Sequence, residues 1–381
     1  MTESLGRLAW QLMRNGFRFR GQRAVGRTAK PQAVSLEVTQ RCVARCRMCN
    51  IWQGPREAPE LSTEAWRSLL ERDLFSDLVE LDITGGEPFL RRDLADLLRS
   101  VCGRPQSPLR SLRSIAVTTN GFLTRRVLKA CRLILPAARR AGIDLVMVCA
   151  MDAVGAAHDA IRGYPGGWRL TDQTIEGLMD LRNEFPNLII GLKTTILPET
   201  VGELEAIVKY AAKRGLFTII SPCIVTRGRY LNADRAADLA FQPAQRQAMA
   251  CFFRQAASSW SFHEACLLRY LEGGRMEKPC TCGFNYFFIR SQGAFFPCPM
   301  IDHSPGNVTQ EPIEKLLTSP LSVSIRRRVG RFPECRHCTE PGLERYSLPY
   351  EGWTYLGLLL KMGPRRFLEI HHRMGLDKYF T

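Results

Sequence analysis

Cys42, Cys46 and Cys49 stand in a Cys-x3-Cys-x2-Cys spacing, close enough for one loop to turn three thiolates onto one centre. Three thiolates on a four-iron cube leave one iron without a protein ligand, an open site where a small molecule can bind. Zinc is the competing occupant; it usually takes four ligands, and no further Cys or His stands in a comparable arrangement within roughly the next hundred residues. Cys280, Cys282, Cys298, Cys335 and Cys338 form a second group near the end of the chain. The remaining cysteines, Cys102, Cys131, Cys149, Cys223, Cys251 and Cys266, stand alone and fit small buried hydrophobes. Fourteen cysteines with no secretion-type N-terminus do not suggest a disulfide framework.

The elements that position these groups follow from the alternation of apolar runs. Strands are expected at 34–39, 78–84, 114–119, 144–150, 188–195 and 217–222, with helical periods between them at 63–72, 93–102, 123–141, 172–185 and 201–214. Ser62 is placed to cap the first of these helices, with Glu64 in its first turn. Alternating strands and helices imply βαβ units and a parallel sheet; six units fall short of a closed eight-strand barrel. The fold class expected is α/β, a partial (β/α)6 barrel followed by a small cysteine-rich module. Catalytic groups then sit on the loops after the strand ends, which gather the three cysteines, Gly85-Gly86-Glu87-Pro88, Thr119-Asn120-Gly121 and Met151-Asp152 on one rim. Lys193, near the end of the fifth strand, is a rim lysine or an active-site charge. The expected division is a basic amphipathic segment over 1–32, the barrel over 33–240, a helical connection over 241–279, the cysteine module over 280–342 and an apolar, basic tail over 343–381.

Cys-x3-Cys-x2-Cys after a first strand and Thr-Gly-Gly-Glu-Pro at 84–88 after a second resemble the radical S-adenosylmethionine (SAM) superfamily, over roughly residues 34–340. The resemblance implies a [4Fe-4S] cluster on Cys42, Cys46 and Cys49 whose open iron chelates SAM. It also implies that Gly85 and Gly86 let the backbone approach the cofactor and that Glu87 pairs with its ammonium group. The residue before the third cysteine, usually aromatic and near adenine, is Met48 here. A Ser-x-Asp-Gly-like turn that contacts the ribose is represented by Ala150-Met151-Asp152, which lacks the serine and keeps Asp152. His158, Asp159, Ile161, Arg162 and Gly163 continue the family's pattern. The later cysteines, with Gly293 before Cys298, resemble the one-cluster form of the SPASM domain, often called a twitch domain. That likeness implies an auxiliary [4Fe-4S] cluster on Cys280, Cys298, Cys335 and Cys338, with Cys282 as a spare; a four-cysteine zinc ribbon is the alternative. His337, His371 and His372 fit solvated or interfacial histidines better than ligands.

A net charge of +16 on 381 residues bears on location more than on chemistry. Trp10, Phe17 and Phe19 among N-terminal arginines, and Trp353 with Leu358 to Leu360 beside Lys361 in the tail, fit helices that lie in an anionic membrane interface. Packing on the barrel is the alternative. No run of about 18 apolar residues suggests a membrane span, and no RNA- or DNA-binding module is apparent, so nucleic acid is not an expected partner. The expected location is the cytoplasm, peripheral to the inner face of the membrane, with flavodoxin or ferredoxin as the one-electron donor. The expected reaction is reductive SAM cleavage to a 5′-deoxyadenosyl radical that abstracts hydrogen from an unactivated C–H bond, of a membrane-associated lipid or lipid-linked substrate. A soluble peptide maturase or sugar-alcohol dehydrogenase is the alternative, the short segment before the barrel weighing against the first; a non-catalytic iron-sulfur or zinc protein is a third reading.

Overall fold

A computed structural model of the chain describes residues 2–54, 59–102, 108–256 and 262–380. Strands β1 (Ala33–Thr39), β2 (Glu80–Gly85), β3 (Ser114–Thr119), β4 (Asp144–Ala150), β5 (Leu188–Ile196) and β6 (Phe217–Pro222) run in the spatial order β6-β5-β4-β3-β2-β1. The pairs from β2 to β6 are parallel. Because β6 ends the order, the barrel is partial.

Each strand is followed by a helix, as its apolar spacing dictates. Thr63–Leu70 begins where the Ser62 hydroxyl accepts a hydrogen bond from the Ala65 N–H at 3.1 Å. Thr124–Arg140 buries Val127, Cys131, Ile134, Leu135 and Ala138, which recur at helical spacing. Register puts Ala116 opposite Val146 and Val148 opposite Gly191, and Ala116, Val146 and Val148 pack together with Phe217. Residues of the other parity, such as Ile115, Val117, Leu145 and Leu192, are wholly buried. Both faces of the sheet are therefore covered along much of its length, and the strand ends carry the loops of interest.

The chain divides into two compact units. Val34–Gln245 with Phe288–Ala294 holds the barrel; Met1–Ala33, Arg246–Phe287 and Phe295–Thr381 make the other. In this second unit lie helices Pro243–Ala256 (from Arg246 on) and Phe262–Gly273, within the expected helical connection; residues 257–261 of that stretch lie outside the described residues. The two terminal segments, expected either at a membrane or on the barrel, pack on each other. Helix Thr2–Val25 lies against Gly342–Glu351 and Trp353–Met362. Gly352 permits the approach: a Cβ there would stand 2.0 Å from the Leu12 carbonyl oxygen. Arg326, first of a basic run, is wholly buried and donates from Nε to the Gly26 carbonyl at 2.9 Å, so its charge serves the fold. No helix among the described residues is long and apolar enough to cross a membrane.

Candidate active site and auxiliary cluster site

The cysteine loop leaves β1 and is gripped from three other loops. The N–H groups of Arg45 and Arg47 donate to the carbonyls of Arg162 (2.8 Å) and Ile161 (2.9 Å). Gly163 makes this possible, since it is left-handed at φ 57° and a Cβ there would lie 2.6 Å from the Arg45 oxygen. From the loop after β6, Asn232 Nδ2 donates to the Met48 carbonyl at 2.8 Å, and the Tyr230 carbonyl accepts from the Asn50 N–H at 2.8 Å. From the loop after β2, the N–H groups of Gly86 and Glu87 donate to the carbonyls of Thr39 and Arg41, both at 2.8 Å. Beneath the thiols, Ala44, Met48, Phe122, Ala153, Ile161, Leu197 and Leu239 form an apolar bed.

Three groups expected at the cofactor make contacts within the protein itself. A Cβ on Gly85 or Gly86 would stand 2.2 Å from the Thr39 oxygen or 2.3 Å from the Arg41 oxygen, so these glycines let the loop press against the root of the cysteine loop. Glu87 is wholly buried, and its two oxygens accept from the Phe89 N–H, the Thr119 hydroxyl and the Asn120 N–H at 2.8–3.1 Å. It presents no exposed oxygen to an ammonium group, and burial raises its carboxyl to about 7. Asp152 is likewise buried: Oδ2 pairs with Arg162 Nη2 at 2.7 Å and Oδ1 accepts from the Thr195 N–H at 2.9 Å. Its carboxylate holds a guanidinium in place.

Arg162 is the residue that sequence reasoning left without a role. Its Nη1 donates to Cys46 Sγ at 3.7 Å while Nη2 holds Asp152. Burial opposes its charge, but Asp152 and Cys46 outweigh that cost and keep it protonated. Asn120 plays a similar part, donating from Nδ2 to Cys42 Sγ at 3.9 Å. The signal for Arg162 was present in the Ile161-Arg162-Gly163 run, whose glycine seats the helix end against the cysteine loop. Burial, then the neighbouring Cys46, pushes the Cys42 and Cys49 thiols up to about 12. Soft, desolvated thiols beside a fixed cation and an amide donor suit a metal-sulfur cluster, whose binding displaces the protons. Lys193, half-buried, sits in register with Ala150 and lends positive charge to Asp152.

In the second unit, Cys280, Cys298, Cys335 and Cys338 line one cavity of about 200 Å³. Cys282 is not among the lining residues and is buried. A hydrogen bond from Cys282, against the cost of burial, holds Cys280 down at about 7. Four thiols ringing one space are the donor set of one four-iron cube. Among the described residues no three His, Cys, Asp or Glu close on a single metal ion. Lys278 also lines this space; its ammonium donates to the Glu340 carbonyl at 2.5 Å and lies 3.7 Å from Glu344, which His263 Nδ1 meets at 2.9 Å. His337 instead meets the Tyr270 hydroxyl at 3.2 Å, and His371 that of Tyr355 at 2.7 Å.

Residues 36–211 match the model of the radical SAM superfamily, and residues 280–339 that of an iron-sulfur cluster-binding domain, SPASM. The chain belongs to the radical SAM superfamily. It is an enzyme of that superfamily, with SAM and two [4Fe-4S] clusters as cofactors; radical SAM enzymes in general need an electron donor. The sporulation killing factor maturation protein SkfB of Bacillus subtilis (strain 168) is 22% identical over 282 residues, 74% of this chain. This chain spans 63% of SkfB's length. The AdoMet-dependent heme synthase of Methanosarcina barkeri (strain Fusaro / DSM 804) is 22% identical over 315 residues, covering 77% of this chain and 83% of the synthase. Among solved structures, Streptococcus suis SuiB shares the fold with a TM-score of 0.57, both bound to S-adenosylmethionine and bound to its precursor peptide SuiA. The two SuiB structures are 13% and 15% identical and cover 91% and 92% of this chain and 78% of SuiB.

Proposed function

We propose that this radical SAM enzyme modifies a peptide. Cys42, Cys46 and Cys49 hold the SAM-binding cluster in this reading, and Cys280, Cys298, Cys335 and Cys338 hold the auxiliary one, fed by a flavodoxin or ferredoxin. When bound, the cluster and SAM supply one-electron cleavage of the cofactor and a carbon radical that takes hydrogen from an unactivated C–H bond. The chain's own residues do the rest. Arg162 and Asn120 hold the thiols and donate to them, Glu87 fixes the Gly-Gly loop against the cysteine loop, and the apolar bed under Met48 excludes water. The rim formed by the loops at the strand ends, with Lys193 near it, receives the substrate.

The observation that supports a peptide is the fold shared with SuiB over nearly the whole chain, in a complex that contains a precursor peptide. SkfB, named for maturation of a killing factor, points the same way. This reading displaces the lipid-linked substrate expected from the basic termini, since neither SkfB, the heme synthase nor SuiB is named for lipid chemistry. A tetrapyrrole side chain is the second reading, favoured by the greater share of the heme synthase that this chain covers, 83% against 63% for SkfB.

Anaerobic incubation of the reconstituted protein with SAM and a one-electron reductant should release 5′-deoxyadenosine, and Cys46→Ala should abolish it. Mass spectrometry of a deletion strain then separates the substrates. Loss of a modified peptide supports the proposal; an altered tetrapyrrole pool with unaltered peptides supports the second reading. A change confined to lipids or sugars sinks both.

A further inference from the structure

Helix Thr2–Val25 has two apolar faces with different fates. Leu8, Leu12 and Phe19 are buried, and Phe19 meets Phe284 and Tyr350 edge-on at 5.1 and 5.9 Å. The opposite stripe carries Arg7, Trp10, Arg14, Phe17 and Arg18 at helical spacing, and Trp10 and Phe17 are 61% and 63% exposed. Phe17 meets Trp353 edge-on at 5.1 Å, and the Arg20 guanidinium lies 5.4 Å from the same indole. From Trp353 the next helix carries Leu356 and Leu360 along the same face, and Leu360 is 81% exposed with Lys361 beside it. The fold thus joins two stretches from opposite ends of the chain into one ridge, Trp10 to Phe17 to Trp353 to Leu360.

The charge around the ridge is mostly positive, with Glu3 at the start of the helix the exception. Between Leu5 and Arg27 the chain has Arg7, Arg14, Arg18, Arg20, Arg23 and Arg27 and no Asp or Glu. The nearest acids in the tail are engaged locally, Glu351 with the Thr354 N–H at 2.7 Å and Glu369 with Arg366 at 3.4 Å.

We propose that this ridge docks the enzyme on an anionic lipid surface. The fold does not need these side chains, because Leu8, Leu12 and Phe19 already supply the helix with its packing face. Side chains three-fifths to four-fifths exposed protrude, whereas a bound peptide is usually held in a groove or along a sheet edge. Aromatic and aliphatic groups interleaved with arginines that outnumber the acids match a helix pair lying in the headgroup region. The ridge concerns where the enzyme works and is independent of which substrate it takes.

The test uses the full-length holoprotein and sedimentation with vesicles of phosphatidylcholine alone or mixed with phosphatidylglycerol. Binding is expected only with the anionic lipid, weakening as salt rises. Arg14→Gln with Arg18→Gln should lower the partition coefficient about fivefold per arginine. Trp10→Ser/Phe17→Ser/Leu360→Ser should abolish binding while the iron content and 5′-deoxyadenosine release in solution stay unchanged. Absence of wild-type binding to either vesicle overturns the proposal, as does undiminished binding of the triple variant. It also fails if the triple variant instead converts a dimer to a monomer in analytical ultracentrifugation with no change at vesicles.

Discussion

Arg162 shows how one side chain couples the stability of the barrel to the chemistry of its cluster. Its guanidinium bridges a buried carboxylate and a buried thiol, so removing it takes away the ion-pair partner of Asp152 and leaves only the weaker charge of Lys193. Arg162→Met should cost about 3–5 kcal/mol in urea unfolding and lower the iron bound at the first cluster. Arg162→Lys should recover part of the stability but less of the iron, because a point charge cannot serve both partners from one planar fork. His158 gives a pH signature. It is buried and neutral, its Nδ1 accepting from the Asp152 N–H at 3.2 Å, and burial followed by repulsion from Arg162 lowers it to about 3 from an ordinary 6.5. The unfolded chain takes up this proton below its ordinary value and the folded chain does not until near 3. Stability contributed by neutral His158 is therefore complete above pH 6.5 and is lost as pH falls, by about 2 kcal/mol at pH 5. Chemical denaturation across that range should show a shallower acid slope for His158→Gln than for the native protein.

The loops act through backbone proximity, which is where sequence reasoning was least able to see. Strand positions and the alternation of helices were legible because β-branched and apolar runs have a short period, and register then set which residues share a face. The cysteine spacings were legible as donor sets, since thiolates at those separations have few other uses. What was not legible is that Glu87 and Asp152 spend their charge inside the protein. A carboxylate in a glycine-rich turn looks the same in sequence whether it meets a cofactor or the N–H groups of its own neighbours; only burial separates the two. The C-terminal helices were equally obscure, because their contacts are with the other end of the chain. The glycines carry an element-scale prediction. Gly86→Ala and Gly163→Ala each force a Cβ against a carbonyl of the cysteine loop, at 2.3 and 2.6 Å, and nearby backbone must shift, at about 1–3 kcal/mol. Each variant should keep the auxiliary cluster's iron and lose iron and SAM cleavage at the first site, as read by iron analysis and 5′-deoxyadenosine release.

At the scale of the molecule, the N-terminal helix belongs to the unit that holds the later cysteines, although it precedes the barrel in sequence. Phe19 packs on Phe284, two residues after Cys282; Arg23 donates to the Val329 carbonyl at 3.2 Å; and Arg326 depends on the Gly26 carbonyl for its Nε hydrogen bond. Residues 330 and 335 line the auxiliary cavity, so the helix braces the segments that carry its cysteines. Deleting residues 1–26 would remove Leu12 and Phe19, uncover Phe284 and Tyr350, and take the Gly26 acceptor from the Arg326 guanidinium, a combination that costs several kcal/mol by loss of apolar burial and of a charged hydrogen bond. The truncated protein should therefore hold about half the iron of the native one, with the loss at the auxiliary site, while the first cluster still binds and cleaves SAM. Phe19→Ala, milder at about 3–5 kcal/mol for a buried aromatic, should show the same loss on warming, before any loss at the first site. The order of iron release during thermal unfolding, followed by visible absorbance and iron chelation, checks this. Equal loss at both sites in the truncated protein and in Phe19→Ala would show that the helix supports the chain as a whole and not the auxiliary unit in particular.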